Sequence, residues 1–409
     1  MNKSFSMQND GLIDYINRVQ DYINVPKQDI IVEGLGGAAT AYFLSRMHQF
    51  KNDRPVLFVT NDQNRGELLL EDIKYFFHYL NLKKKPLLFS SWELLPYESL
   101  SPLNEVSGER LEILNRLRNG ENLFLIAPIE AVMQTVVPRN TLKKNVFSIN
   151  RGDELGREIL ETCLADNGFT RSSLVENRSD FSVRGDIVDF FQPGADSPVR
   201  IEFFGDTIES IREFDVFSQI SVKKLDAIDI LPIRELCFGE FEKEMGLENV
   251  LKRSEELGFE NNQIKKLQEI IENQGFFPGM DFLAQFFFNS RETLFDYLSP
   301  NTLIALDEPD ILFEKSRQFE DLIESEFSRC LEKVKIVSPP HEFYLTSEEF
   351  FSKCTGFHGP VKISSLKVSE QEESLNGVEI KQISLMVGNL NKFAEQTIKW
   401  QNEGQKIVV

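Results

Sequence analysis

Short apolar runs and helix-spaced leucines alternate along the first third of the chain. Asp29-Ile30-Ile31-Val32-Glu33, Pro55-Val56-Leu57-Phe58-Val59-Thr60, Lys85-Pro86-Leu87-Leu88-Phe89 and Asn122 to Ala127 are brief apolar runs bounded by polar or turn residues, the pattern of strands buried on both faces. Between them, GLIDYINRVQDYI (11–23), Thr40 to Met47, GELLLEDIKYFFHYL (66–80) and SGERLEILNRLR (107–118) space their apolar residues as helices do. Strand-helix-strand repetition predicts a mostly parallel sheet covered by helices.

The period changes after about Pro138. Residues 152–167 read as a helix, but from Asp180 to Arg212 the chain breaks into short strands punctuated by Gly185, Gly194 and Gly205, with Arg200-Ile201-Glu202-Phe203 alternating wet and buried positions. That is a small, largely antiparallel unit. From about 222 the pattern returns to helix, with two amphipathic helices over 239–273. Thr302 to Leu306 is then an apolar strand ending in Asp307-Glu308, followed by a helix over about 310–330. Beyond 345 come strands at Val361-Lys362-Ile363 and Val378-Glu379-Ile380 and a helix from Leu390 to Trp400. Ile407-Val408-Val409 reads as a strand without a successor, as in a piece of a longer protein. The expected fold is α/β: a parallel-sheet domain split into 1–138 and 222–344, a small inserted domain over 139–221, and an additional α/β segment over 345–409.

Composition narrows the function more than the fold. At 409 residues, two to four domains are expected, and 41% hydrophobic with 27% charged residues is the balance of a globular protein. No apolar stretch approaches a membrane span and no leader pattern opens the chain, so the expected location is cytoplasmic. Cys163, Cys237, Cys330 and Cys354 lack metal-ligand spacing among themselves or with the histidines, so reduced thiols and no metal are expected. The net charge of −20 disfavours tight autonomous binding to a phosphate backbone. The 35 phenylalanines sit in apolar segments and read as core.

One loop sits where a phosphate-binding loop belongs. Gly34-Leu35-Gly36-Gly37-Ala38-Ala39-Thr40-Ala41 follows a strand and opens a helix. In the working pattern Ala39 would be glycine, Thr40 the lysine on the transferring phosphate, and Ala41 the hydroxyl that binds magnesium. Losing lysine and hydroxyl together removes the chemistry. Asp307-Glu308 resembles the acidic pair that holds magnesium-bound water in nucleotide hydrolases, and beside such a loop it reads as a relic. No nucleophile elbow, zinc-protease helix or dinucleotide fingerprint is present, so neither an enzyme nor a cofactor is expected.

Residues 181–194, FSVRGDIVDFFQPG, and 198–215, PVRIEFFGDTIESIREFD, are similar to the block shared by the excinuclease component UvrB and the N-terminal part of bacterial transcription-repair coupling factors. Pro96-Tyr97-Glu98, Gly168-Phe169-Thr170-Arg171, Leu294-Phe295-Asp296-Tyr297-Leu298 and Leu306-Asp307-Glu308-Pro309 extend the resemblance over about 10–340. UvrB keeps an intact nucleotide loop and a damage-probing hairpin; the coupling factor has a degenerate loop, which Ala39, Thr40 and Ala41 match. The resemblance implies a nonenzymatic scaffold that recruits the excinuclease component UvrA through the small domain, with RNA polymerase and DNA engaged by segments C-terminal to this region. It implies a docking surface of Arg171, Arg184 and an aromatic at Phe190 or Phe191, one of which strand alternation would expose. A damaged-DNA-binding protein of the UvrB kind and a nucleotide-sensing module are the competing readings. Asp186, and Arg178-Ser179 before Asp180, depart from the common pattern beside Arg184.

Overall fold

The computed structural model describes residues 30–50, 54–274, 276–333, 335–357, 360–365 and 390–403. The elements expected over 11–23, 378–380 and 407–409 lie outside the described residues.

Six parallel strands form the larger sheet, in the order Ile30–Glu33, Val361–Ser364, Leu303–Asp307, Val56–Thr60, Phe124–Pro128, Pro86–Leu88. Neighbouring residues in the central strands serve opposite faces, which is why the runs are apolar throughout. Phe58, Phe124 and Ala305 pack with Phe43 and Leu44 of the Ala38–Phe50 helix and with Leu69, Ile73 and Phe77 of the Gln63–Tyr79 helix. Leu57, Val59, Leu125 and Leu306 turn the other way, toward Leu111 and Leu114 of the Asn104–Arg118 helix and Leu312 and Ile323 of the Pro309–Glu332 helix. The Val361–Ser364 strand, expected in the segment beyond 345, fills the place between the first strand and Leu303–Asp307.

The second sheet runs Ser221–Leu225, Thr207–Phe214, Val199–Phe204, Ile187–Phe190, Asp180–Arg184, Thr170–Arg171, antiparallel except for its last pair. Its inner face packs on Leu160 and Leu164 of the Arg157–Asp166 helix. A ribbon of Phe147–Asn150 against Ala227–Ile230 brings chain entry and exit side by side. Helix was expected to resume at about 222, yet Ser221–Leu225 and Ala227–Ile230 are strands. The exposed Lys223 and Lys224 mark an edge strand, where lysines discourage pairing with other chains and dilute the alternating pattern.

A dense seam joins the two units. Arg110, fully buried, donates from Nε and Nη2 to the two oxygens of Glu235 at 2.6 and 3.2 Å and from Nη1 to Ser90 O at 2.7 Å, with its guanidinium over the Phe89 ring. Trp92 Nε1 donates to the same Glu235 at 2.7 Å. Beside it the backbone of Gly108 meets that of Gly194: a Cβ at Gly108 would lie 2.4 Å from Pro193 Cβ, and one at Gly194 2.6 Å from Gly108 O.

Candidate functional site

The glycine loop is folded onto itself. Gly34 and Gly37 occupy the left-handed region, at φ 84° and 59°, where side chains are disfavoured. Leu35 between them is buried and donates its N–H to Ser364 O at 3.1 Å. Thr40 is fully buried, and its hydroxyl turns back to donate to Leu35 O at 3.0 Å, closing the loop from inside. Ala41 is part of the core.

Both acidic residues at the end of the Leu303–Asp307 strand are engaged by the protein. Asp307, 1% exposed, accepts from Arg65 Nε at 2.7 Å and Nη2 at 3.3 Å. That hydrogen bonding holds the Arg65 guanidinium above its ordinary range. Glu308, at φ 48°, accepts from Ser365 N at 2.7 Å and Ser364 Oγ at 3.1 Å, pinning the end of the inserted strand. Burial pushes the Asp307 carboxyl up, so Arg65→Leu should cost about 1–3 kcal/mol at neutral pH, the price of leaving a buried acceptor unmatched. With its native-state pKa raised further, Asp307 would make the variant most stable below the unfolded carboxylate range and less so as pH rises. Urea unfolding at pH 4 and pH 7 measures this, and a deficit that is equal at both values would refute the ion-pair account.

On the small unit, the strand register separates residues that the sequence pattern groups. Arg171 stands opposite Phe181, on the side of the inner core, and pairs with Glu161 of the Arg157–Asp166 helix at 3.2 Å. Arg184 projects from the other face. It is half exposed and donates from Nη2 to Asp189 Oδ2 at 2.7 Å. Asp189 is fully buried and also receives Arg200 through both oxygens, at 2.8 and 2.9 Å. Arg212 pairs with Glu202 on the same face. The outer face is therefore a ladder of arginines and acids in which Arg184 remains accessible.

Both aromatics are buried, which corrects the expectation that one would be exposed. Phe190 is in the inner core, edge-on to Phe169. Phe191, 8% exposed, leaves the strand on the opposite side, where Val175 and Phe214 cover it and the Arg178 guanidinium lies 5.3 Å from its ring. Alternation does send the two rings to opposite faces; the second face is closed at that end by residues 175–178. No sequence pattern marks Arg200, Arg212 and Asp189 as partners of Arg184 on one face. The need for a cation was there in Ile187-Val188-Asp189-Phe190, since an acid at a buried strand position requires one.

An inserted, mostly antiparallel unit with a charged outer sheet face, held on a helix-covered parallel sheet, defines the class: residues 147–236 match the protein family described as the UvrB interaction domain. The small unit is such a domain, homologous to that of bacterial transcription-repair coupling factors. The chain is 30% identical over 345 residues to the transcription-repair-coupling factor of Myxococcus xanthus, covering 81% of this chain and 28% of that protein. The proteins of the same name from Bacillus subtilis (strain 168) and Escherichia coli (strain K12) are each 27% identical, over 82% and 88% of this chain and 28% and 31% of their own lengths. The chain thus spans under a third of the length of each of these three relatives. Among the described residues no helix is long and apolar enough to cross a membrane.

Proposed function

We propose that this chain is a nonenzymatic interaction scaffold of transcription-coupled nucleotide excision repair, whose small domain recruits the excinuclease component UvrA through the outer face that carries Arg184. The observation that carries the reading is the interaction-domain match over 147–236 together with an accessible arginine on a sheet face of a chain with net charge −20. Arginine presents a planar fork suited to carboxylates and is enriched among residues that dominate interfaces. The glycine loop, with Thr40 turned inward and Ala41 in the core, suits a degenerate nucleotide site that has become structural, and Asp307 and Glu308 have structural partners of their own.

Calorimetric titration of the chain with purified UvrA should give saturable binding that Arg184→Ala weakens by about 2 kcal/mol or more. The substitution should leave the fold intact, because Arg200 still neutralises Asp189 through both oxygens. Arg171→Ala, on the other face, should weaken binding less. Absence of binding by the folded chain would sink the recruitment reading.

A further inference from the structure

Phe217 is 97% exposed, more than any other large apolar side chain among the described residues, and Ile220 and Val222 after it are exposed as well. The turn beneath the ring is tightly bonded. Asp215 N donates to Ile220 O at 3.0 Å and Gln219 N to Asp215 O at 2.8 Å, closing the 215–220 segment that joins Thr207–Phe214 to Ser221–Leu225. The Asp215 carboxylate accepts from Ser218 N and Oγ, both at 2.8 Å, and Gln219, left-handed at φ 58°, donates from Nε2 to Val216 O at 2.8 Å. Arg200 of the outer sheet face then donates from Nη1 to Gln219 O at 3.1 Å. None of these bonds uses the Phe217 ring. An aromatic displayed on backbone that is already ordered loses little further freedom when a partner covers it, which is the condition for an interface anchor.

The neighbouring charges restrict what could cover it. Strand register sets Asp189, Arg200, Arg212 and Lys224 in one row across four strands, with Arg184, Ile187 and Glu202 in the next. Four cations thus stand against two carboxylates, on a chain whose net charge is −20. The turn joins that row at Arg200. A basic face with an apolar projection at its margin complements a surface that offers an apolar cleft rimmed by carboxylates. A second copy of this chain suits it poorly, because pairing along the Ser221–Leu225 edge would set Lys223 and Lys224 against lysines.

We infer that the 215–220 turn is a second anchor of the docking face, seating Phe217 in an apolar cleft of the partner whose carboxylate rim takes the neighbouring arginines. The anchor rests on recruitment of UvrA through the face that carries Arg184, and the two can fail separately. In calorimetric titration of the full chain with purified UvrA, Phe217→Ser should weaken binding by about tenfold or more. Its melting transition should be unchanged, because the ring is exposed and the bonds of the turn are made without it. Phe204→Ser serves as the control: that ring is 78% exposed at the opposite end of the same strands, at the hairpin between Val199–Phe204 and Thr207–Phe214, and its loss should leave binding as it was. Binding that Arg184→Ala weakens and Phe217→Ser leaves intact overturns the anchor and keeps the recruitment reading. Equal losses from Phe204→Ser and Phe217→Ser also overturn it, since any exposed ring would then do. No binding by the folded parent chain removes both. Sedimentation of the chain alone tests the other occupant: a dimer that Phe217→Ser dissolves would make a second copy the cover of the ring and overturn the inference, and a monomer at the titration concentration is the expected result.

Discussion

Arg110→Ala should destabilise the protein by about 3–5 kcal/mol, the range for removing one partner of a buried ion pair. The cost comes less from the attraction lost than from what stays behind. Glu235, 4% exposed, would keep a single hydrogen bond from Trp92, Ser90 O would lose its donor, and the face of Phe89 would lose the guanidinium packed on it. Because Arg110 belongs to the helix on the parallel sheet and Glu235 to the chain returning from the small unit, the loss falls on the seam. Urea denaturation of both proteins measures it. A second variant, Arg110→Met with Glu235→Gln, removes both charges, keeps an acceptor for Trp92 Nε1 and should recover much of the stability, since no buried charge is left without a counter-ion. If the double variant is no more stable than Arg110→Ala, the desolvated charge is not the source of the loss.

Gly108→Val should act at the same seam by another route. Its Cβ would meet Pro193 Cβ at 2.4 Å and Gly194 N at 2.8 Å, and backbone cannot swing away as a side-chain end can. Overpacking of this kind costs about 1–3 kcal/mol, and here the relief available is for the small unit to lift off the Asn104–Arg118 helix. Limited proteolysis should then cut near the entry and exit ribbon, at Phe147–Asn150 and Ala227–Ile230, faster than in the parent chain. Titration with UvrA should be little changed, because the outer face carrying Arg184 is built within the small unit. An unchanged urea midpoint and cleavage pattern would mean that the Gly108–Gly194 approach carries no such constraint.

The parallel sheet was legible because its strands are buried on both faces and so leave uninterrupted apolar runs, and the inserted unit because its glycines fall at hairpin turns. Where the runs join was not. Val361-Lys362-Ile363 gives no local sign that it lies between the first strand and Leu303–Asp307, since register across hundreds of residues is set by which apolar surfaces fit. Ser221–Leu225 was missed because an edge strand carries lysines that a buried strand would not. On the candidate docking face, Arg184 is accessible, but the reading of Phe190 and Phe191 as one buried and one wet failed. Strand alternation fixes the direction of a side chain and says nothing of what a distant loop lays over it. Arg65 likewise gave no warning, 242 residues from the Asp307 it neutralises.

The position of the Val361–Ser364 strand sets the order in which the sheet can be completed during synthesis. Ile30–Glu33 has that strand as its one partner among the described residues. At about 5–20 residues per second, roughly 15–65 s of translation separate the two. Through that interval the earliest strand has no place in the sheet, and Leu303–Asp307 presents an unpaired edge once made. An emerging chain therefore carries apolar strand surface that only the last-made strand of the sheet can cap. Ribosome-bound chains stalled short of residue 361 are the ones a chaperone should hold, and those stalled well beyond 365 should release.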